Sequence, residues 1–197
     1  AEPYRRCEAG RRILDRYDVG GVIARPFTGH GGNYVRTFNR RDYSMPPVGP
    51  TVLDAVKEAG VPVVGVGKIE DIFAGQGLTE SIHSEGNRDG MKRSLERLRT
   101  LERGLLFVNL VVFDSHYGHR PDPKGMARAL AEFDEDLAPL LAELRAGDKL
   151  FLTADHGNDP TFLKTTDHTR EYVPLVVFEP LRCDYRWASD RIHAAIL

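Results

Sequence analysis

Between residues 51 and 178, short apolar runs alternate with helical patterns, and this alternation constrains the fold most strongly. Runs of strand length and composition lie at 61–66, 105–113, 149–153 and 173–178. Patterns with an apolar stripe at helical spacing lie at 52–59, 88–101 and 123–145. Strands that alternate with helices are typical of a mostly parallel sheet covered by helices on both faces. The sequence therefore predicts an α/β core of this kind.

The first 47 residues follow a different pattern. Residues 3–17 have the periodicity of a helix, 19–24 of a short strand, and 27–39 of a glycine-rich loop that leads into a strand at 34–37. Three prolines in the segment 46–50 cannot continue a helix or a central strand. We therefore expect a domain junction there, with one unit at 1–47 and a second at 50–197.

The composition and net charge of the chain exclude some classes of binding partner. With 197 residues the chain is long enough for one core and an appendage. A net charge of −2 provides neither a basic field for nucleic acid nor a polybasic membrane patch. The longest apolar run, 105–113, has about half of the roughly 20 residues that span a bilayer. Cys7 and Cys183 are far apart, as expected for free thiols in a reducing compartment. We expect a cytoplasmic location and no nucleic-acid or membrane partner.

Carboxylates and imidazoles follow two of the predicted strands, where ligands bind in sheets of this kind. The candidate metal ligands are Asp114, His119, Asp155, His156 and His168. Such ligands suit zinc, manganese or iron, and carboxylates with water also suit magnesium. Five are too many for one catalytic zinc and slightly too few for two fully coordinated ions. Because two ions about 3.5–4 Å apart can clamp the oxygens of phosphoryl transfer, the pattern indicates a metal-dependent phosphoryl- or ester-transfer site.

Cationic side chains accompany these ligands. Lys68 follows the strand at 61–66 and is expected at the same rim of the sheet. Arg25, Arg36, Arg40 and Arg41 cluster beside Gly29, Gly31 and Gly32. Forked donors next to flexible backbone are what phosphate recognition requires. These residues alone are equally consistent with a solvated basic surface.

Several long motifs resemble the phosphopentomutases, a family of alkaline-phosphatase-like metalloenzymes. They read GKIEDIFA (67–74), FDSHYGHR (113–120), LTADHGNDPT (152–161), TDHTREYVPLVVF (166–178) and ARPFTGHGGNYVRTFNRRDY (24–43). The resemblance runs from about residue 1 to residue 178 and does not extend to the final segment.

This resemblance implies an isomerase with two Mn²⁺ ions in an alkaline-phosphatase-like core that carries a small α+β cap domain. The family interconverts ribose 1-phosphate or deoxyribose 1-phosphate with the 5-phosphate. A phosphothreonine donates its phosphate to the sugar phosphate, and the resulting bisphosphate returns the other phosphate. By motif, one ion is assigned Asp114, His119 and His168, and the other Asp155 and His156.

The resemblance also assigns the substrate contacts. Arg36 and Lys68 fall where the family contacts the sugar phosphate, and Ile23 lies beside them. Gly21 stands where the family often has an arginine, so a phosphate contact is absent or comes from another arginine such as Arg25.

No motif upstream of Asp114 matches the phosphothreonine of the family or its further metal-binding aspartate. Thr28-Gly29-His30 has a similar local sequence, but its neighbours match the cap loop. We therefore identify no catalytic nucleophile among these 197 residues, and we expect the nucleophilic threonine upstream of Ala1.

The two units are interpreted accordingly. Residues 1–47 match the C-terminal piece of a cap, and 50–197 the C-terminal part of the core, with the N-terminal part of the core missing. Two alternatives remain: a cofactor-independent phosphoglycerate mutase, which the arginine-rich loop disfavours, and a non-catalytic fragment.

Overall fold

The computed structural model describes residues 2–17, 19–37 and 41–180. The N-terminal unit contains helix α1 (Glu2–Leu14), a 3₁₀ turn (Asp15–Tyr17) and strands β1 (Gly21–Ala24), β2 (Phe27–His30), β3 (Asn33–Arg36) and β4 (Arg41–Ser44). β1 pairs with β4 and β2 with β3, both antiparallel, and α1 packs on the β1–β4 ribbon. Arg11 ties α1 to this ribbon, since its Nη2 donates to the carbonyl oxygen of Val19 at 2.6 Å and its Nη1 to that of Tyr43 at 3.3 Å.

The glycine-rich segment forms a hairpin rather than a loop that precedes a single strand. The predicted strand at 34–37 is found as β3, but residues 27–30 form a partner strand that the sequence did not predict. Gly31 and Gly32 make the connection with φ angles of 61° and 93°. Two consecutive positive φ angles are the geometry of a tight hairpin turn, which glycine adopts without strain.

The second unit alternates helices and strands as predicted. Its elements are α2 (Val52–Glu58), β5 (Val63–Val66), α3 (Ile69–Phe73), β6 (Glu80–Ile82), α4 (Asn87–Thr100), β7 (Leu105–Val108), a π-helix (Phe113–Gly118), α5 (Pro123–Glu143), β8 (Leu150–Thr153) and β9 (Leu175–Phe178). The short elements α3 and β6 were not predicted. Thr51 begins α2 with the capping box that its sequence favours, because its hydroxyl accepts from the amide of Asp54.

β5 lies at the centre of a parallel sheet with β6 and β7 on either side. Val63 is buried on one face of β5, in a cluster with Leu53 of α2 and Ile69 of α3. Val64 alternates with Val63 and is also fully buried, and α4 packs against β5 and β7. Helices thus cover both faces of the parallel sheet, which confirms the predicted fold class.

A second apolar cluster joins α4 and α5 to β8. Phe133, Leu137 and Leu140 supply the stripe of α5, and Leu152 of β8 packs against it. In the part of the chain described here, β8 pairs with β9 in a separate antiparallel sheet and not with the parallel strands. The expectation that 149–153 and 173–178 belong to one mostly parallel sheet is therefore corrected.

The apolar run 105–113 is a strand only as far as Val108. The amide of Val112 donates to Oδ1 of Asn87 at 3.0 Å, and the chain then enters the π-helix at Phe113. Leu110 and Phe113 are buried in the α4–α5 cluster. The second half of the run is apolar because it is buried against helices. Periodicity alone does not distinguish such a buried segment from a strand.

Two expectations concern parts of the protein outside the described residues. One is the final segment, 182–197, to which the resemblance does not extend. The other is the nucleophilic threonine, which is expected upstream of Ala1 and therefore outside these 197 residues. Among the helices of the described ranges, none is long and apolar enough to cross a membrane.

Candidate metal centre

Three ligand-bearing residues converge beyond the ends of β7 and β8. Asp114 lies in the π-helix that follows β7, His156 follows β8, and His168 lies in the segment between β8 and β9. Each offers one ligand atom, and these atoms lie within 4.8 Å of one another. Residues separated by more than forty positions in sequence are therefore assembled into one polar cluster.

The segment between β8 and β9 folds back on itself to bring His156 and His168 together. The amide of Thr169 donates to the carbonyl oxygen of Gly157 at 3.0 Å, and the two residues form a bridge. A Cβ at position 157 would lie 2.9 Å from the carbonyl oxygen of Thr169 and 2.5 Å from Oε2 of Glu171. The close approach therefore requires glycine at this position.

The Asp114 carboxylate is the centre of the cluster. Its Oδ1 accepts a hydrogen bond from Nδ2 of Asn158 at 2.8 Å and lies 3.5 Å from Nε2 of His168. Its Oδ2 lies 3.3 Å from Nε2 of His119. Because Asn158 donates to only one lone pair, the carboxylate keeps acceptor capacity on both oxygens.

His119 is oriented in the manner of a metal ligand. Its Nδ1 lies 2.7 Å from the carbonyl oxygen of Thr166, which can only accept, so Nδ1 carries the proton. In the neutral ring, Nε2 then presents its lone pair toward Asp114. A cation between this lone pair and the carboxylate would be attracted to both. The other ring nitrogen of a metal-binding histidine usually donates to a backbone carbonyl or a carboxylate, as Nδ1 does here.

His156 has the same arrangement. Its Nδ1 lies 3.1 Å from the carbonyl oxygen of Gly157, which leaves Nε2 as the free ligand atom. Its ring stacks on that of His168 with centroids 3.5 Å apart. Imidazole nitrogens and a carboxylate are ligands that divalent transition metals accept. The donor set therefore fits a divalent cation.

Asp155 lies outside the cluster of three. Its Oδ1 is 3.6 Å from Nε2 of His156, and its side chain is 66% exposed. The structure groups His156 with Asp114 and His168, which the family pattern assigns to different ions. The division of the five residues between two ions stays a prediction.

Asp159 is adjacent in sequence but is directed elsewhere. Its Oδ1 accepts from the hydroxyl of Thr161 at 2.6 Å and from the amide of the same residue at 2.8 Å. The hydroxyl, and then the amide, hold the pKa of the Asp159 carboxyl below its ordinary value. This carboxylate shapes the loop.

Three of the expected sugar-phosphate residues, Ile23, Arg25 and Lys68, lie on or next to the β1–β4 ribbon. Ile23 of β1 is directly opposite Asp42 of β4, and Nζ of Lys68 lies 2.8 Å from Oδ2 of Asp42. Arg25 is exposed in the link between β1 and β2. Arg36 ends β3, and its side chain lies outside the described part of the structure. Ile23 and Lys68 are thus brought together through Asp42, while the position of Arg36 relative to them stays a prediction.

Sequence reasoning missed three contributors to these contacts: Asn158, Thr166 and Asp42. Asn158 and Thr166 lie within the two motifs that contain His156 and His168. Their nearness in sequence to these candidate ligands was the available signal. Asp42 gave no signal, because its role depends on the pairing of β4 with β1.

Comparison with known proteins places these observations in a family. A family model described as the metalloenzyme superfamily matches residues 28–191. Curated phosphopentomutases are similar along most of the chain. That of Anaeromyxobacter dehalogenans (strain 2CP-C) is 58% identical over 179 residues, that of Caldanaerobacter subterraneus subsp. tengcongensis 56% over 180, and that of Dictyoglomus thermophilum 53% over 180.

Each of these alignments covers 91% of this chain but only 46% of the relative. The chain thus spans about half the length of the curated relatives it matches. A solved structure, that of the PH0037 protein from Pyrococcus horikoshii, matches 78% of this chain and 40% of its own with a TM-score of 0.57. At 19% sequence identity, this similarity shows the fold alone.

Proposed function

This chain belongs to the metalloenzyme superfamily, and from that premise we propose that the protein is an isomerase that interconverts pentose 1-phosphates and pentose 5-phosphates. The convergence of Asp114, His156 and His168 supports the proposal, because it brings three possible ligands together at the rim where the family pattern expects a cation. The similarity to curated phosphopentomutases supports the choice of substrate. We propose ribose 1-phosphate or deoxyribose 1-phosphate as the sugar phosphate, and the cytoplasm as the location.

We propose that two Mn²⁺ ions bind, one to Asp114, His119 and His168 and the other to Asp155 and His156. Bound ions would supply positive charge to the oxygens of the transferred phosphoryl group. The protein's own residues prepare this site. Asn158 orients the Asp114 carboxylate, and the Thr166 carbonyl fixes the ring and tautomer of His119.

Sugar-phosphate binding is assigned to the N-terminal ribbon and the end of β5. The ammonium of Lys68 would contact phosphate oxygens, Ile23 would pack beside the sugar, and Arg25 and Arg36 would supply forked donors.

The nucleophile is assigned to a threonine upstream of Ala1, in the part of the relatives that this chain does not cover. As a phosphothreonine, it would donate its phosphate to the sugar phosphate, and the resulting bisphosphate would return its other phosphate to the threonine. On this proposal 1–47 is a piece of the cap domain and 50–197 is part of the core.

The test is a coupled assay of ribose 1-phosphate conversion, with protein produced from its complete reading frame. Chelator-treated protein should be inactive and should regain activity with Mn²⁺. Asp114→Asn should lower kcat/KM at least about 100-fold, because an uncharged ligand holds the ion poorly. Asp134→Asn, on the exposed side of α5, is the matched control. Full activity without metal, or an active Asp114→Asn variant, would contradict the proposal.

The same assay separates the alternatives. Conversion of phosphoglycerate with none of pentose phosphate would favour a phosphoglycerate mutase. The 197-residue chain assayed alone should turn over nothing, because the proposed phosphothreonine lies outside it. Turnover by that chain would contradict this assignment of the nucleophile.

A further inference from the structure

We infer that Asp42 is a positioning residue for sugar-phosphate binding, and that it acts by holding the ammonium group of Lys68. The inference rests on the proposed function and extends it to a residue outside the expected contact set. The contact itself is short: Nζ of Lys68 lies 2.8 Å from Oδ2 of Asp42. It links strand β4 of the N-terminal unit to the core, two residues beyond the end of β5.

Burial distinguishes this ion pair from the surface pairs of the chain. The side chain of Asp42 is 10% exposed and that of Lys68 is 33% exposed. In the surface pair of Lys149 with Glu179, at 2.9 Å, the side chains are 55% and 44% exposed. A nearly buried ion pair is screened less by solvent than an exposed pair, which contributes little. Lys68 is therefore held in place more firmly than a surface lysine.

The register of the N-terminal ribbon places Asp42 among the expected substrate contacts. Asp42 is the direct partner of Ile23 in the antiparallel pairing of β4 with β1. Residues directly opposite each other in such a pair project from the same face. Ile23 and Lys68 were assigned to sugar-phosphate binding separately, and Asp42 is the residue at which they meet.

The other end of the Lys68 side chain begins at a fixed point of the core. The amide of Gly67 donates to the carbonyl oxygen of Ile82 at 2.9 Å, and its φ is 79°. A Cβ at this glycine would collide with the carbonyl oxygen of Asn109. The backbone before Lys68 is thus enclosed by the end of β6 and by the segment that follows β7. With Asp42 at the far end, both ends of the lysine are held.

The chemistry of the ammonium group explains how it could serve two partners at once. A lysine ammonium has three N–H donors and no acceptor. One donor directed at Asp42 leaves two for the oxygens of a phosphate. Without Asp42, the flexible four-carbon stem would have to be ordered when substrate binds, and that cost in conformational entropy would weaken binding.

A double-mutant cycle on KM tests this inference, with ribose 1-phosphate and the protein from its complete reading frame. Asp42→Asn should raise KM about tenfold and change kcat less than about twofold, as expected when uniform binding is lost. In a Lys68→Met background, Asp42→Asn should change KM less than about twofold, because no ammonium remains to be positioned. Asp42→Glu, which restores the charge, should recover part of the loss.

Glu80→Gln is the matched control. It removes the 2.9 Å ion pair of Glu80 with Arg97, which joins β6 to α4 in the core. This variant should keep the KM of the wild type. Thermal melting of every variant reports whether a change in KM follows from partial unfolding.

Two results would overturn the inference while leaving the proposed function intact. An equal rise in KM in the wild-type and Lys68→Met backgrounds would show that Asp42 acts independently of the lysine. A lower KM in Asp42→Asn would show that the carboxylate competes with phosphate for Lys68. An absence of pentose phosphate turnover by the wild type would instead overturn the proposed function, and the inference with it.

Discussion

The imidazole rings of His156 and His168 stack with their centroids 3.5 Å apart and their planes inclined by 12°. Nε2 of His168 also lies 3.5 Å from the Asp114 carboxylate. A divalent cation beside Asp114 would balance the negative charge of its carboxylate, and His168 would supply a ring nitrogen as a further ligand.

Removing one ring of the stack should weaken metal binding selectively. His156→Ala should lower the affinity for the Mn²⁺ ion that His156 is proposed to share with Asp155 at least about tenfold, because a ligand atom of that ion is lost. The measurement is calorimetric titration of metal-free protein with Mn²⁺. His116→Ala is the matched control, since His116 is exposed and its Nδ1 lies 2.9 Å from the hydroxyl of Ser115. Equal losses in both variants would contradict the assignment.

Asn158 should matter for metal binding although it is not proposed as a ligand. Asn158→Leu removes the 2.8 Å hydrogen bond to Oδ1 of Asp114 and should lower metal affinity about 10- to 100-fold. Gly118→Ala should cause a comparable loss, because its added Cβ would collide with the Asn158 side chain. The same titration measures both variants. Wild-type affinity in Asn158→Leu would show that Asp114 needs no such support.

Two glycines at the end of α3 should differ sharply in their tolerance of a side chain. Gly75 and Gly77 have φ angles of 76° and 75°, but only a Cβ at Gly77 would meet the backbone, 2.8 Å from the amide nitrogen of Asp54. Gly75→Ala should lower the free energy of unfolding by about 1 kcal/mol, because alanine is strained at this positive φ angle. Gly77→Ala should lower the free energy of unfolding by at least about 2 kcal/mol more than Gly75→Ala does, because the fully buried Leu53 must shift. Free energies of unfolding in urea compare the two, and equal costs would contradict this packing.

Asp54 should make the stability of the fold depend on acid pH. Hydrogen bonds from the side chain of Gln76, and then from the amide and hydroxyl of Thr51, hold the pKa of the Asp54 carboxyl below its ordinary value of 3.8. Because the pKa is lowered in the folded state, the stabilisation is present above 3.8 and is lost as the pH falls through the folded pKa.

The variant Asp54→Asn tests this dependence. Its free energy of unfolding should fall less steeply than that of the wild type as the pH is lowered from about 5 to about 3. Asp134→Asn, on the exposed side of α5, serves as the control and should keep the wild-type slope. Parallel curves for Asp54→Asn and the wild type would exclude this contribution.

The sequence was informative where one physical signal dominated. The stripe of α5 and the capping box at Thr51 predicted helices that are present, and the buried run that contains Val63 predicted a strand. Prediction failed where an apolar run was buried by helix packing, as at Leu110 and Phe113, and where strands depended on pairing, as in β2.

The candidate site was predicted as a set of residues but not as a geometry. Asp114, His156 and His168 were recognised from residue type and from their positions after strands. Their grouping depends on the bridge between Gly157 and Thr169, and the position of Lys68 depends on the register of Asp42. Tertiary contacts of this kind leave no periodic pattern in a sequence.

The most direct test of the metal centre is anomalous scattering at the manganese edge, from crystals of the protein grown with Mn²⁺. Two peaks are predicted, one within about 2.5 Å of a carboxylate oxygen of Asp114 and of a ring nitrogen of His168, and the other within about 2.5 Å of a ring nitrogen of His156. Manganese bound elsewhere in the protein, with no peak among these three side chains, would contradict the account.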